Sequence, residues 1–336
     1  MTERYALSQI FLANAGWGEA DRWLLAGDAS DRSYDRLALG DKTAVLMDAP
    51  PGKGDDPEIF LDIARHLTAL GLSAPRCLAQ DLTNGFLLLE DLGDGIYARL
   101  IEANPALENS LYTAATAVLV RLQAAAPAQD LPNLTAQDWA EAACFAVDWY
   151  RYAITGDHAD PSDFRAAMAD ALLRHADGPR VMILRDYHAE NLLWLPERHG
   201  IARVGLLDFQ LAQLGQPGYD LVSLLQDARR DVSRETELAM IQQFLSLTGA
   251  TDARFRPAYA ALGAQRALRI LGVFARLCLH GGKPAYVALI PRVWRQLQRN
   301  LAAPELAKLR HICQSLLPEP TPEALAKIGA QCGHFR

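Results

Sequence analysis

With 336 residues, half of them apolar, the chain is long enough to bury a large core and to divide into two lobes. A formal charge of −7 argues against nucleic acid as a partner, because phosphate-backbone binding rests on clustered lysine and arginine, and the composition is not that of a disordered scaffold. Five cysteines, Cys77, Cys144, Cys278, Cys313 and Cys332, are scattered, odd in number and without paired metal spacing, which suits a reducing cytoplasm.

The first residues carry Glu3, Arg4, Glu19 and Asp21 among their apolar positions, so no signal-peptide core is present and a cytoplasmic location is expected. Short β-like runs follow: Trp23 to Ala26, Tyr34 to Leu39, Thr43 to Met47 and Gly85 to Glu90. A helix from about Pro57 to Leu70 interrupts them, with Ile59, Phe60, Ile63, Leu67 and Leu70 at helical spacing, Pro57 at its start and Gly71 at its end. After residue 95 helical patterns dominate, at Ser110 to Ala125, Ala136 to Tyr152, Pro161 to His175, Arg234 to Thr248 and Pro257 to His280. Ala258 to Leu279 is the most apolar later stretch, but Arg266, Arg269 and Arg276 interrupt it, so it reads as an amphipathic helix and no membrane partner is expected. Pro318 to Pro322 reads as a linker to a short terminal helix. Strands first and helices after predict an α+β protein with a small sheet lobe over 1–94 and a larger helical lobe over 95–336. No obligate protein partner is evident.

The chemistry concentrates in Leu184-Arg185-Asp186-Tyr187-His188-Ala189-Glu190-Asn191, followed by Leu207-Asp208-Phe209. Phoshoryl transfer from Mg-ATP needs an Asp on a rigid loop to accept the proton of an attacking hydroxyl, and neutral and anionic oxygens to hold Mg²⁺. Asp186 is the candidate base, and Asn191 and Asp208 are the candidate metal ligands. The apolar runs Val181 to Leu184, Leu192 to Leu195 and Val204 to Leu207 read as short strands flanking the loop. Asp220, within Gly218-Tyr219-Asp220-Leu221, is expected to brace the loop by accepting backbone N–H bonds.

Upstream, Gly27-Asp28-Ala29-Ser30-Asp31-Arg32-Ser33-Tyr34 is a turn of small and polar residues. Such a loop brings backbone N–H groups and a hydroxyl against phosphate oxygens, which makes Asp28, Ala29, Ser30, Asp31 and Arg32 nucleotide-contact candidates; an ordinary hairpin turn has the same composition. Leu87 to Asp94 is expected where the lobes join, with Glu90 and Leu92 offering main-chain atoms to an adenine edge. His188 and Glu190 could hydrogen-bond an acceptor's polar groups, with packing or loop support an equal alternative for His188. Arg266, Arg269 or Arg276 could meet an anionic substituent of the acceptor, although a surface ion pair serves as well.

The segments R-D-Y-H-A-E-N-L-L, L-D-F-Q, G-Y-D-L-V-S-L-L and L-L-L-E-D-L-G resemble the aminoglycoside phosphotransferase and choline kinase family, which has a two-lobed protein-kinase-like fold. G-D-A-S-D-R-S-Y, M-D-A-P-P and Q-R-A-L-R-I-L-G-V-F-A-R-L are similar to its cell-wall sugar kinases, which act on the anomeric hydroxyl of N-acetylmuramate and N-acetylglucosamine. The resemblance spans about Ser8 to Leu301 and implies ATP and Mg²⁺ as cofactors, a sugar as substrate, Asp186 as base, and Asn191 and Asp208 as metal ligands. An aminoglycoside or amino-alcohol kinase and a nucleotide-binding pseudokinase are the alternatives. Two positions depart from the family pattern. Leu184 stands where a His is common two residues before the catalytic Asp, so support for the loop must come from elsewhere. Met47 ends the strand that usually carries a phosphate-clamping Lys, so Arg32, Arg36 or Lys53 would have to reach the phosphates unless Mg²⁺ and loop amides suffice. Glu58 or Asp62 could orient such a cation.

Overall fold

The computed structural model describes residues 3–27, 32–54 and 56–334. Its packing divides the chain into two compact units, one of residues 1–128 with 189–212 and one of 129–188 with 213–336. The expected lobe boundary after residue 94 falls inside the first unit.

The first unit is built on a five-stranded antiparallel sheet in the order β1-β2-β3-β5-β4. Its strands are β1 (Asp21–Gly27), β2 (Ser33–Leu39), β3 (Lys42–Asp48), β4 (Cys77–Asp81) and β5 (Phe86–Glu90). Side chains alternate across a pleated sheet, so each face has its own set. One face carries Leu37, Ala44, Leu46, Phe86 and Leu88, which form a core with Phe11 and Leu12 of the helix α1 (Glu3–Asn14). The opposite face carries Val45, Met47, Leu87 and Leu89, all buried. Helix α2 (Pro57–Ala69) starts where the Asp56 carboxylate accepts from Glu58 N at 2.9 Å and Pro57 presets the first turn; it buries Phe60, Leu61, Ile63, Ala64 and Leu67.

The helices α3 (Tyr97–Ala103) and α4 (Glu108–Gln123) belong to the same unit, because residues 189–212 fold back beside them. Ala98 N donates to Ala189 O at 3.0 Å, Trp194 N to Gly95 O at 2.7 Å and Leu206 N to Ser73 O at 2.8 Å. A Cβ at Gly95 would lie 2.5 Å from Trp194 O, so only glycine permits this approach. These bonds tie the segment after β5 to the sheet unit and explain why its packing extends past residue 94.

The second unit is mostly helical: α5 (Ala136–Ala143), a π-helical segment (Ala146–Arg151), α6 (Tyr152–Thr155), α7 (Ser162–His175), α8 (Tyr219–Leu225), α9 (Arg234–Thr248), α10 (Asp252–Leu279), α11 (Ile290–Leu301), α12 (Ala307–Leu316) and α13 (Pro322–Ala330). A short antiparallel pair, β6 (Val181–Ile183) with β9 (Gln213–Gly215), joins them, while β7 (Leu192–Trp194) and β8 (Val204–Leu206) form a hairpin in the first unit. The single helix expected over 136–152 is broken, with π-type winding at Ala146–Arg151. There the long α10 comes so close that a Cβ at Gly272 would lie 2.1 Å from Phe145 O. The same α10 starts before Pro257, not at it: Phe255 in its first turns is buried against Phe244 and Tyr259, and that packing outweighs the missing proline N–H. Among the described residues no helix is long and apolar enough to cross a membrane.

Candidate active site

In the second unit, β6 delivers the chain into the loop that carries Asp186. Arg185 adopts a left-handed backbone at φ +70°, an uncommon conformation for a side chain this long. The turn is held from below by the wholly buried Asp220 of α8, whose Oδ2 accepts from Leu184 N at 2.6 Å and whose Oδ1 accepts from Arg185 N at 2.9 Å. Loop support therefore comes from a carboxylate across the chain, with an apolar residue at 184. Burial pushes the Asp220 carboxyl up to about 7; the two backbone bonds oppose that rise, nearby Asp186 adds to it, and Arg266 opposes it. Asp186 itself is half-buried, and its N–H donates back to Leu184 O at 2.9 Å.

His188 ends this stretch of the second unit and is 3% exposed. Its Nε2 lies 3.3 Å from Arg229 Nη1. Burial, with Arg229 and Arg266 nearby, holds the imidazole well below its ordinary pKa, so the ring is neutral and accepts from the guanidinium. Arg266, 6% exposed on α10, donates through Nη1 to Gln226 O at 3.3 Å. Its charge also acts on Asp227, a buried carboxylate raised by desolvation, whose Oδ1 accepts from Arg229 N at 2.8 Å. Thus His188, Asp220, Asp227, Arg229 and Arg266 form one polar group around the loop's base. Arg229 was missed by sequence reasoning, whereas Asp227 was weighed only as one of the carboxylates that a polycationic acceptor would need. The signal for Arg229 was Gln226-Asp227-Ala228-Arg229-Arg230, charge placed directly after a helix with no exposed residue.

In the first unit, the β7–β8 hairpin sets Asn191 beside Asp208: Leu207 N donates to Asn191 O at 2.9 Å, and Asn191 Nδ2 lies 3.4 Å from Asp208 Oδ2. Asp208 has φ +55°, and its Oδ1 accepts from Gln210 Nε2 at 2.7 Å. Phe209, fully buried, stacks on Phe60 of α2 at 4.8 Å, which fixes the backbone on which Asp208 turns out. Here the Asn191 amide turns its Nδ2 to the carboxylate; with the amide rotated to present its oxygen, the two side chains suit Mg²⁺, which takes hard oxygen donors and fills its remaining positions with water and phosphate. No group of three or more His, Cys, Asp or Glu able to hold a metal occurs among the described residues. Glu190, adjacent in sequence, is exposed.

The segment after β5 is also in the first unit. Glu90 N donates to Arg76 O at 2.8 Å, and its carboxylate pairs with Arg76 at 3.1 Å and Arg198 at 2.7 Å. Leu92 makes no main-chain hydrogen bond among the described residues, so its N–H and C=O are open to a ligand. Arg36, on β2, reaches Asp91 at 2.9 Å and Asp94 at 2.7 Å. Asp62 pairs with Arg65 at 2.6 Å, and Glu58 is exposed in the first turn of α2. The phosphate-contact candidates Asp28, Ala29, Ser30 and Asp31 lie outside the described residues; Arg32 lies within them and is buried.

Comparison with known proteins gives a consistent result. Residues 24–259 match the phosphotransferase enzyme family. An N-acetylmuramate/N-acetylglucosamine kinase of Caulobacter vibrioides is 40% identical over 95% of this chain and 98% of its own. One of Pseudomonas aeruginosa is 33% identical over 92% and 93%. A choline/ethanolamine kinase family protein from Mesorhizobium loti, of known crystal structure, superposes with a TM-score of 0.61 at 15% identity over 97% of this chain and 99% of that one, which identifies the fold as the two-lobed α+β kind.

Proposed function

The chain belongs to the phosphotransferase enzyme family, and from that premise we propose that it is a Mg-ATP-dependent sugar kinase that phosphorylates the anomeric hydroxyl of N-acetylmuramate and N-acetylglucosamine. The observation that carries the substrate reading is the 40% identity, sustained over 95% of the chain, to a kinase named for both sugars. As a member of this family the protein is an ATP-dependent phosphotransferase.

In the proposed reaction, Asp186 accepts the proton of the sugar hydroxyl as its oxygen attacks the γ-phosphorus; the bond from that phosphorus to the β,γ-bridging oxygen breaks, and ADP leaves with the electron pair. The products are a sugar 1-phosphate and ADP. Asp220 keeps Asp186 in place by holding Leu184 N and Arg185 N, so the loop does not have to reorganise as the proton moves. Asn191 and Asp208 would hold Mg²⁺, whose charge offsets that developing on the phosphates. Ser30 and neighbouring amides, with Asp28, Ala29, Asp31 and Arg32, are the proposed phosphate contacts, and the main chain of Glu90 and Leu92 the proposed adenine edge. For the acceptor, we assign Arg266, His188 and Glu190, the first two through the buried polar group beside the loop and Glu190 through its exposed carboxylate. A polycationic aminoglycoside would need carboxylates converging on the loop; Asp148, Asp157 and Asp160 are exposed, and Asp227 lies among arginines.

The test is product analysis. Purified protein with Mg-ATP and either amino sugar should release ADP while the reducing end of the sugar disappears. ADP release with an intact reducing end would move phosphorylation to another hydroxyl.

A further inference from the structure

We propose that Cys278 and Cys332 are a disulfide-forming pair that fastens the last helix, α13, to the end of α10 when the protein meets an oxidant of the glutathione disulfide class. The proposal concerns the second unit alone and does not depend on the kinase reading.

Backbone packing brings the two cysteines together. Where α10 ends, Cys278 O accepts from two amides, Gly282 N at 3.1 Å in the turn that closes the helix and Gly333 N at 3.0 Å just beyond α13. Gly333 reaches it in a left-handed backbone, φ +74°, which glycine adopts without steric cost. Cys332 therefore sits one main-chain hydrogen bond from Cys278, near the Cα separation of about 4.4–6.8 Å that a disulfide spans. The side chains meet as the backbones do. Cys278 Sγ donates to Ile328 O at 3.6 Å, in the last turn of α13, and lies in hydrogen-bond contact with the Cys332 thiol. Elsewhere in the chain, Cys144 Sγ donates to Ala140 O at 3.4 Å and Cys77 Sγ to Ala79 O at 3.3 Å.

A bond at this place has a weakly held element to secure. α13 has nine residues and buries only Ala324 and Ile328, and a short helix with so little buried apolar surface opens readily. Joining Cys332 to Cys278 closes a loop that runs from α10 through α11 and α12 to α13, which removes conformations from the unfolded chain. Exposure sets the order of the chemistry, because Cys332 is half-buried and Cys278 wholly buried. The Cys332 thiolate attacks one sulfur of glutathione disulfide, and the first glutathione leaves, taking up the proton that Cys332 released. Cys278 then attacks the Cys332 sulfur of the mixed disulfide, and its proton goes to the second departing glutathione. Two protein thiols are thereby oxidised to one disulfide, and one glutathione disulfide is reduced to two thiols. Burial, with neighbouring Cys332 adding to it, pushes the Cys278 thiol up to about 12, so the second step is the slower one.

The experiment follows the two sulfurs. The full chain is incubated with glutathione disulfide at mildly alkaline pH, quenched with acid at intervals, digested and mapped by mass spectrometry, beside Cys332→Ser and Cys278→Ala. The expected course is a transient glutathione adduct on Cys332, replaced by a peptide that links Cys332 to Cys278. With the link, the melting temperature is expected to rise by about 5 °C, and dithiothreitol to reverse the rise. Cys332→Ser should keep Cys278 reduced and show no rise, while Cys278→Ala, which leaves the half-buried thiol in place, should stop at the glutathione adduct. The first of these variants changes a half-buried position, so it reports even if the second fails to fold. A glutathione adduct that persists on Cys332 in the unsubstituted chain, a Cys332 that does not react, or a linked chain whose melting temperature does not move overturns the proposal.

Discussion

In the unit of residues 1–128 with 189–212, polar groups are positioned by backbone geometry near the surface of a sheet. Arg22 of β1 meets Asp35 of the neighbouring β2, Arg36 reaches Asp91 just after β5, Arg76 just before β4 meets Glu90, Asp208 is aimed by a left-handed φ, and Leu92 makes no main-chain hydrogen bond among the described residues. In the unit of 129–188 with 213–336, the polar groups are submerged: Asp220, His188, Asp227 and Arg266 are all buried, and the Arg266 charge acts on each of the other three. The first arrangement suits a ligand that brings its own charge and recurs in every turnover, the second a loop whose one acceptor of protons must not wander. Nucleotide handling and acceptor handling should therefore separate by unit.

Substitutions break that separation where it is wrong. The largest effect is expected from Asp186→Asn in the second unit: turnover falls roughly 10²-fold or more while ATP affinity persists, since a base contributes on that scale to proton transfer and not to nucleotide binding. Near-normal turnover would remove Asp186 from the role. Next, Asp208→Ala in the first unit is expected to abolish the Mg²⁺ dependence of nucleotide affinity and leave sugar affinity intact; a Mg²⁺ titration with unchanged nucleotide binding would contradict the metal assignment.

Smaller effects sharpen the second unit. Arg266→Ala removes a buried donor and should cost about 1–3 kcal/mol of stability. If it also meets the lactyl carboxylate, KM rises more for N-acetylmuramate than for N-acetylglucosamine, and equal rises leave only the folding role. The subtlest is a pH slope. Asp220 is raised by burial to about 7, above the ordinary carboxylate value, so the folded state holds a proton that the unfolded chain has released. Its contribution to stability is present at acid pH and is lost as pH rises toward and through about 7. Asp220→Asn does not titrate, so its melting temperature should decline less between pH 5 and 7.5 than that of the unsubstituted protein. Parallel declines would place the pH sensitivity elsewhere.

β3, β5 and α2 were readable because their apolar residues are the ones those elements bury, whereas the apolar run of β1, Trp23 to Leu25, is exposed. β4 was not: as an edge strand it exposes Cys77 and Leu78, and no buried alternation marks it. α1 buries only Ser8, Phe11 and Leu12, too few to announce a helix. The π-helical winding before α6 depends on the approach of α10, which lies more than a hundred residues later and which no local pattern encodes. At the site, the nearness of Asn191 to Asp208 was legible because a short hairpin alone separates them. The partnership of His188 with Arg229 was not, because it is made through tertiary packing across a 41-residue separation.

The most direct test of a sugar kinase built on Asp186 is ADP release by the purified protein with Mg-ATP against N-acetylmuramate, N-acetylglucosamine, kanamycin and choline, with Asp186→Asn in parallel. Turnover of the two amino sugars that consumes their reducing ends and disappears in Asp186→Asn is the expected result. Turnover confined to kanamycin or choline, or amino-sugar turnover that survives in Asp186→Asn, would contradict it.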